Sequence, residues 1–356
     1  IENNTVFRKE NADFGTGFAT STSLNNATSS GPTLSNLIGG DGGLSLPYGF
    51  NSASTSATST TVGNYFSSGP GLTAVAGLGS HSLQRPDGKF LIIHGNNTTS
   101  TTIYDPITNA TSTGPTIVGT AANNASSSAF SIQRPDGKFL VVLSGNTSNT
   151  SIYDPIANTF VAGPALVGTS AILADGGAHS IQRPDGKFLI VLGNATSSTS
   201  IYDSVANIMT PGPAVVGTVA NLVSFGAHSI LRPDGKFLTV LGNSTRDTSI
   251  YDPVANTFVA GPAIVGTAAN LVNGGAHSLH RPDGKFLMVL GNNTSNTSIY
   301  DPVANTMTAG PVIQGTIANN ASSSAHSIQR PDGKFLVVLG GVTSNTSIYD
   351  PVANIF

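Results

Sequence analysis

Apolar and polar positions along this chain fall into short runs that predict strands and no helices. In the stretch that begins at Gly177, residues 178–183 alternate, Pro184-Asp185-Gly186 reads as a tight turn, and Lys187 to Leu192 is an almost unbroken apolar run. Proline pre-sets φ at the first turn position, aspartate tolerates the second, and glycine takes the position that needs φ > 0. A short apolar run bounded by turn residues is expected of a strand buried on both faces. A Gly-Asn-Ser/Thr loop follows, then a third strand at Ser200–Asp203, a turn at Val205-Ala206-Asn207, and a fourth strand ending at Gly212-Pro213. Proline stops that strand because it cannot donate to a ladder. Nothing in the unit has the length or the 3.6-residue period of a helix.

The unit recurs. Arg-Pro-Asp-Gly-Lys-Phe begins at Arg85, Arg134, Arg183, Arg232, Arg281 and Arg330, at steps of 49 residues. Tyr-Asp pairs keep the same period from Tyr104 to Tyr349, as do His81, His179, His228, His277 and His326, with Phe130 in the sixth slot. A repeat of four antiparallel strands in about 40–50 residues is the pattern of a β-propeller blade, which must stack on neighbours to cover its faces.

Gly-Pro pairs at Gly31, Gly69, Gly114, Gly163, Gly212, Gly261 and Gly310 count seven fourth strands. The chain ends at Phe356, where the last blade's fourth strand begins, and Asn26 to Pro32 nearly duplicates Asn109 to Pro115. The expectation is an all-β, seven-bladed propeller of four-stranded antiparallel blades. Residues 1–23 would form an N-terminal arm, 24–36 a closing strand that completes the last blade, 40–78 a divergent first blade, and 79–356 six regular units. The alternative is six blades plus an N-terminal region. Closure of this kind removes an open sheet edge.

The string His-Ser-Ile-Gln-Arg-Pro-Asp-Gly-Lys-Phe from His179, and Ser-Ile-Tyr-Asp-Pro-Val-Ala-Asn-Thr-Phe from Ser249, resemble bacterial kelch-type repeats of galactose-oxidase-like propellers. The resemblance spans about residues 40–356. It implies a propeller that serves as a binding scaffold or, in some members, as an enzyme. Two positions depart from it: Gly-Asn usually replaces the paired glycines after the second strand, and Phe160, Met209, Phe258 or Met307 stands where the family has Trp.

Composition narrows the function. The 356 residues carry 38% apolar and 9% charged side chains, a net charge of −3 and no Cys, against about 25% charged in ordinary domains. These figures exclude disulfides, thiol chemistry and Cys-held metal. They also argue against a nucleic-acid partner, and no apolar run is long enough for a membrane span. The chain starts at Ile1 without a basic–apolar leader, which reads as a processed or truncated form, with any export signal already gone.

The repeated motifs absorb nearly all the charge and leave Glu2, Arg8, Lys9, Glu10, Asp13, Asp41, Asp175, Arg246 and Asp247. Residues present in every blade read as structural, so no catalytic residue, metal site or cofactor is expected. The repeated histidines read as packed inner-strand side chains. A galactose-oxidase-like copper enzyme ranks third among the functions, since no convergent Tyr–His set is visible.

Two features suggest work at the surface. Asn-x-Ser/Thr sequons number fifteen. Asn96, Asn97, Asn146, Asn149, Asn194, Asn243, Asn292, Asn293, Asn296 and Asn345 fall in loops between second and third strands, and Asn124 and Asn320 in links between blades. All but Asn292 are the glycosylation candidates. The N-terminal stretch gathers Val6, Phe7, Arg8, Lys9, Glu10, Asp13 and Phe14, the candidates for assembly onto a neighbouring subunit by strand addition. The reading is a secreted or cell-surface glycoprotein that self-assembles into a fibre or surface layer, its partner another copy of itself. A polysaccharide-binding or adhesion module is the alternative. Against that alternative, the hydroxyl-rich loops show no aromatic platform for a sugar ring.

Overall fold

The strands fall where the alternation and turn residues put them. The computed structural model describes residues 69–356, apart from 120–123, 169–172, 219–221, 267–270, 315–319, 323 and 341–344. Every regular element described is a strand. The first blade consists of β1 (His81–Gln84), β2 (Phe90–Ile93), β3 (Thr101–Asp105) and β4 (Ala110–Thr113). The second has β5 (Phe130–Gln133), β6 (Phe139–Val142), β7 (Thr150–Asp154) and β8 (Thr159–Ala162). The third has β9 (His179–Gln182), β10 (Phe188–Val191), β11 (Thr199–Asp203) and β12 (Ile208–Pro211). In the fourth are β13 (His228–Leu231), β14 (Phe237–Val240), β15 (Thr248–Asp252) and β16 (Thr257–Ala260). In the fifth are β17 (His277–His280), β18 (Phe286–Val289), β19 (Thr297–Asp301) and β20 (Thr306–Ala309). The sixth has β21 (His326–Gln329), β22 (Phe335–Val338) and β23 (Thr346–Tyr349).

Each sheet is an antiparallel meander in chain order, and the register repeats from blade to blade. His179 faces Val191, and Phe188 faces Tyr202, as His228 faces Val240 and Phe237 faces Tyr251. The protein is thus an all-β propeller whose described residues form six blades, the arrangement of six blades plus an N-terminal region. The sixth sheet has three strands, followed by a single bridge between Asp350 and Ile355. Residues 24–36 and 40–68, which carry the expected closing strand and most of the expected divergent blade, lie outside the described residues. The described end of that blade, 69–78, contains no strand.

Within a blade the motif residues have defined tasks. Gly186 closes the first turn with φ +79°, while the Asp185 carboxylate accepts the Lys187 N–H at 3.1 Å and the Arg183 guanidinium. The Gly-Pro pair is fixed by a close approach. Thr199 Oγ1 donates to the Pro213 carbonyl at 2.7 Å, and a Cβ on Gly212 would lie 2.2 Å from Thr199 Oγ1.

Between blades, apolar faces stack. Leu83, Leu91 and Ile93 pack with Phe139, Val141, Leu143 and Tyr153 of the next blade, all nearly or fully buried. Over this layer lies a polar clasp. Arg183 holds Asp185 with Nε and Nη2 and reaches across with Nη1 to Tyr251 Oη (2.5 Å) and Asn256 Oδ1 (2.6 Å) of the following blade. The tyrosine hydroxyl donates to the same Asn256 oxygen at 2.9 Å, so each group in the clasp is used. Arg85, Arg134, Arg232 and Arg281 repeat the arrangement on Tyr153, Tyr202, Tyr300 and Tyr349.

The clasp predicts an asymmetric mutational response. Arg183→Met leaves the buried Tyr251 phenol without its donor and removes one of the two donors to Asn256, and is expected to cost about 2–4 kcal/mol. Arg330→Met removes only an exposed ion pair and is expected to cost under about 1 kcal/mol. Guanidinium unfolding midpoints of the two variants check the contrast.

Candidate functional site

The two ends of each blade differ in chemistry. At one end lie the β1–β2 and β3–β4 types of turn, joined by ion pairs such as Lys187 Nζ to Asp203 Oδ2 at 3.0 Å. Asp203 also caps its own turn by accepting the N–H groups of Val205 and Ala206. Those backbone bonds, with Lys187, hold its carboxyl below the usual aspartate range. The repeated Asp, Arg and Lys residues are thus committed to turns and clasps.

At the other end, each loop between second and third strands lies against the link to the next blade. The bridges Thr98–Ala125, Thr147–Ala174, Thr196–Val223, Thr245–Val272 and Thr294–Ala321 tie them together. Most of the sequons lie here. Asn96, Asn97, Asn146, Asn293 and Asn320 are exposed, and Asn124, Asn194, Asn243 and Asn292 are half-buried. Asn96, Asn97, Asn146, Asn194, Asn243, Asn292 and Asn293 have positive φ, which asparagine tolerates. Asn149, Asn296 and Asn345 are only 5–6% exposed. A buried amide cannot carry a glycan in the folded chain, so these three drop out of the candidates. The assembly candidates Val6, Phe7, Arg8, Lys9, Glu10, Asp13 and Phe14 lie outside the described residues.

The histidines join blades along the inner strands. A carbonyl only accepts, so His228 Nδ1–H donates to the Gly226 carbonyl at 3.0 Å, and Nε2 accepts the Ser278 hydroxyl of the next blade at 2.7 Å. His81, His179 and His277 make the same pair of bonds with Ser131, Ser229 and Ser327. Phe130 breaks the ladder between the second and third blades. Burial holds these imidazoles neutral, with His228 pushed down to about 4, its Gly226 bond acting in the opposite direction.

Among the described residues, the first and last blades leave this bonding incomplete. Arg330 has an exposed side chain, 40% against 8–10% for the five clasped arginines, and its ion pair with Asp332 is its one bond among the described residues. Beside it Ile328 is 53% and Ile348 45% exposed, where the equivalent Ile181 and Ile201 are 2% and 9%. On the first blade, Tyr104 donates to Asn109 at 3.1 Å, but no arginine among the described residues reaches either group. Sequence reading missed the asparagine of the clasp, although its signal was present: Asn109, Asn158, Asn207, Asn256, Asn305 and Asn354 each follow a repeated Tyr by five residues.

The aromatic-free loop end expected from sequence is also corrected. Phe225 lies in the link before β13 and is 52% exposed.

No family model matches this chain, and no curated protein is similar to it. Solved structures share its fold. A fungal alcohol oxidase of the AA5 family, in complex with copper, superposes with a TM-score of 0.54 at 18% identity, over 77% of this chain and 62% of that one. Hydrazine synthase from Kuenenia stuttgartiensis gives a TM-score of 0.51 at 15% identity, over 79% of each chain. This chain spans less than two thirds of the oxidase, and at these identities the likeness is one of propeller fold. Among the described residues no three His, Cys, Asp or Glu side chains converge.

The histidine ladder sets the acid response. The unfolded chain takes up protons near the ordinary value of 6.5, whereas folded His228 resists to about 4. Stability is therefore present above pH 6.5 and lost as pH falls from 6.5 toward 4. The bonded aspartates, held below 3.8, contribute their own loss only at lower pH. Melting temperature should fall across this window in the parent chain and less steeply in His228→Phe, which places at this slot the residue found at Phe130.

Proposed function

We propose that this chain is a non-enzymatic structural protein of the cell exterior, a propeller of kelch-type repeats that works by self-association as a fibre or surface-layer subunit. The observation that carries this reading is the pair of incomplete interblade contacts. Among the described residues, Arg330, Ile328 and Ile348 of the last blade have no covering blade, and Tyr104 and Asn109 of the first have no arginine. Five contacts of the same design occur within the chain, so the two open faces have the complementary halves of a stable interface. Head-to-tail association through unlike surfaces gives a filament when the rotation does not close. The N-terminal arm, residues 1–23, is the second element of this reading, as a segment that adds to a neighbour's sheet edge.

Light scattering across a concentration series tests the proposal. Assemblies larger than the 36.0 kDa chain should appear and should weaken about tenfold in Arg330→Ala or on deletion of residues 1–13. A monomer at every concentration overturns the reading.

The extracellular part of the proposal has its own readout. Material from the native source should exceed the 36.0 kDa sequence mass. Glycopeptides should map to accessible sites such as Asn96, Asn97, Asn124, Asn243, Asn293 and Asn320, and not to buried Asn149, Asn296 or Asn345. An intact mass equal to that of the bare sequence removes the glycoprotein assignment.

A further inference from the structure

Six near-identical units make any departure from the repeat informative, and two departures meet at the loop end. The slot of Phe225 is Leu78, Ser127, Gly176, Gly274 and Ser323 in the other units, so the fold does not require an aromatic there. The slot of Asp175 is Gly77, Ser126, Ser224, Asn273 and Ser322. The two are neighbours in space because Phe225 lies against Gly176. A Cβ added to Gly176 would meet the ring at 2.7–2.8 Å, so this glycine lets the ring lie flat on the backbone beside Asp175.

The segment around Asp175 is pinned from both sides. Asn146 N–H donates to the Ala174 carbonyl at 2.9 Å and Asn194 N–H to the Gly176 carbonyl at 3.0 Å. The two asparagine side chains meet each other, Asn194 Nδ2 donating to Asn146 Oδ1 at 2.9 Å. Ser127 Oγ donates to Asp175 Oδ1 at 2.5 Å, which orients the carboxylate and leaves Oδ2 without a partner among the described residues. The result is a half-exposed aromatic ring, an oriented carboxylate with a free acceptor, and an amide pair. Phe225 and Asp175 each occur in one register of the ring.

We infer that Phe225, Asp175 and the Asn146–Asn194 pair form a binding subsite for a neutral saccharide. The flat ring suits the C–H face of a pyranose. The carboxylate and amides suit its hydroxyls, and hydrogen bonds to a charged acceptor are the stronger kind. An anionic ligand is disfavoured. The repeated Lys and Arg residues occupy the turn end, and exposed Arg246 at the loop end is adjacent in sequence to Asp247. This activity is independent of self-association, because none of its residues belongs to the open blade faces.

Native gels containing dextran, mannan or laminarin, run with full-length chain from a bacterial host, test the subsite. At least one of these neutral polysaccharides should retard the protein, and Phe225→Ser and Asp175→Asn should each weaken retardation about tenfold. Both substitutions place residues found at the same register elsewhere in the chain, and the melting temperature should be unchanged. If Phe225→Ser does not fold, Asp175→Asn decides alone. The inference fails if none of the three retards the chain, or if a folded variant is retarded as strongly as the parent. Retardation confined to polylysine or to a sulfated polysaccharide also overturns it, since it would mark a charge-driven contact.

Discussion

The Arg–Tyr–Asn clasp is the interaction on which the arrangement of blades depends. Without cysteine, stacking of apolar faces is the main attraction available between blades, and it is non-directional. The clasp supplies direction. A planar guanidinium can hold an aspartate in its own turn with two nitrogens while a third reaches the next blade, and the point charge of a lysine cannot do both. Burial raises the affinity of the Tyr251 phenol for its proton, chiefly by desolvation, with Arg183 opposing the shift. The hydroxyl therefore stays neutral, accepts from arginine and donates to asparagine.

This explains how a chain with 9% charged residues builds so regular a structure. Work often done by ion pairs is done here by hydroxyls, amides and backbone. Thr199 holds the Gly-Pro segment, His228 joins its neighbour through a serine, and Asn256 serves twice. Its positive φ of 55° turns the chain, and its side-chain oxygen anchors two donors. The ion pairs that remain, such as Lys187–Asp203, are partly exposed and of modest value.

The blade was legible in the sequence because local rules determine it. Alternation, the Pro-Asp-Gly turn and the Gly-Pro stop located every strand of the unit at 178–213 to within a residue or two, and the 49-residue period carried the result through the six blades. Contacts between blades were less legible. Arg183 and Tyr251 lie 68 residues apart, and nothing local distinguishes an arginine that only caps its own turn from one that also crosses to the next blade. Loop-end accessibility was misread for a related reason. Asn146 and Asn149 look equivalent as sequons, yet Asn146 is exposed, while Asn149, directly before the third strand, is buried. Phe225 escaped notice because one aromatic in an otherwise aliphatic link has no periodic signal.

Departures from the repeat also show where the fold tolerates change. Ser204 stands where the other units have Pro106, Pro155, Pro253, Pro302 or Pro351, and its buried hydroxyl has no partner among the described residues. Ser144 replaces a glycine of the loop and has the same defect. Both hydroxyls impose a desolvation cost, and neither lies in a clasp. Asp175 and Phe225, by contrast, enter links where the backbone already has its partners, and they add a carboxylate and a ring without displacing an interblade bond. A repeat protein can acquire an asymmetric surface in this way: the Arg, Tyr and Asn positions of the clasp stay uniform, and chemistry accumulates in the links, where a substitution alters what the surface offers and leaves the stacking intact.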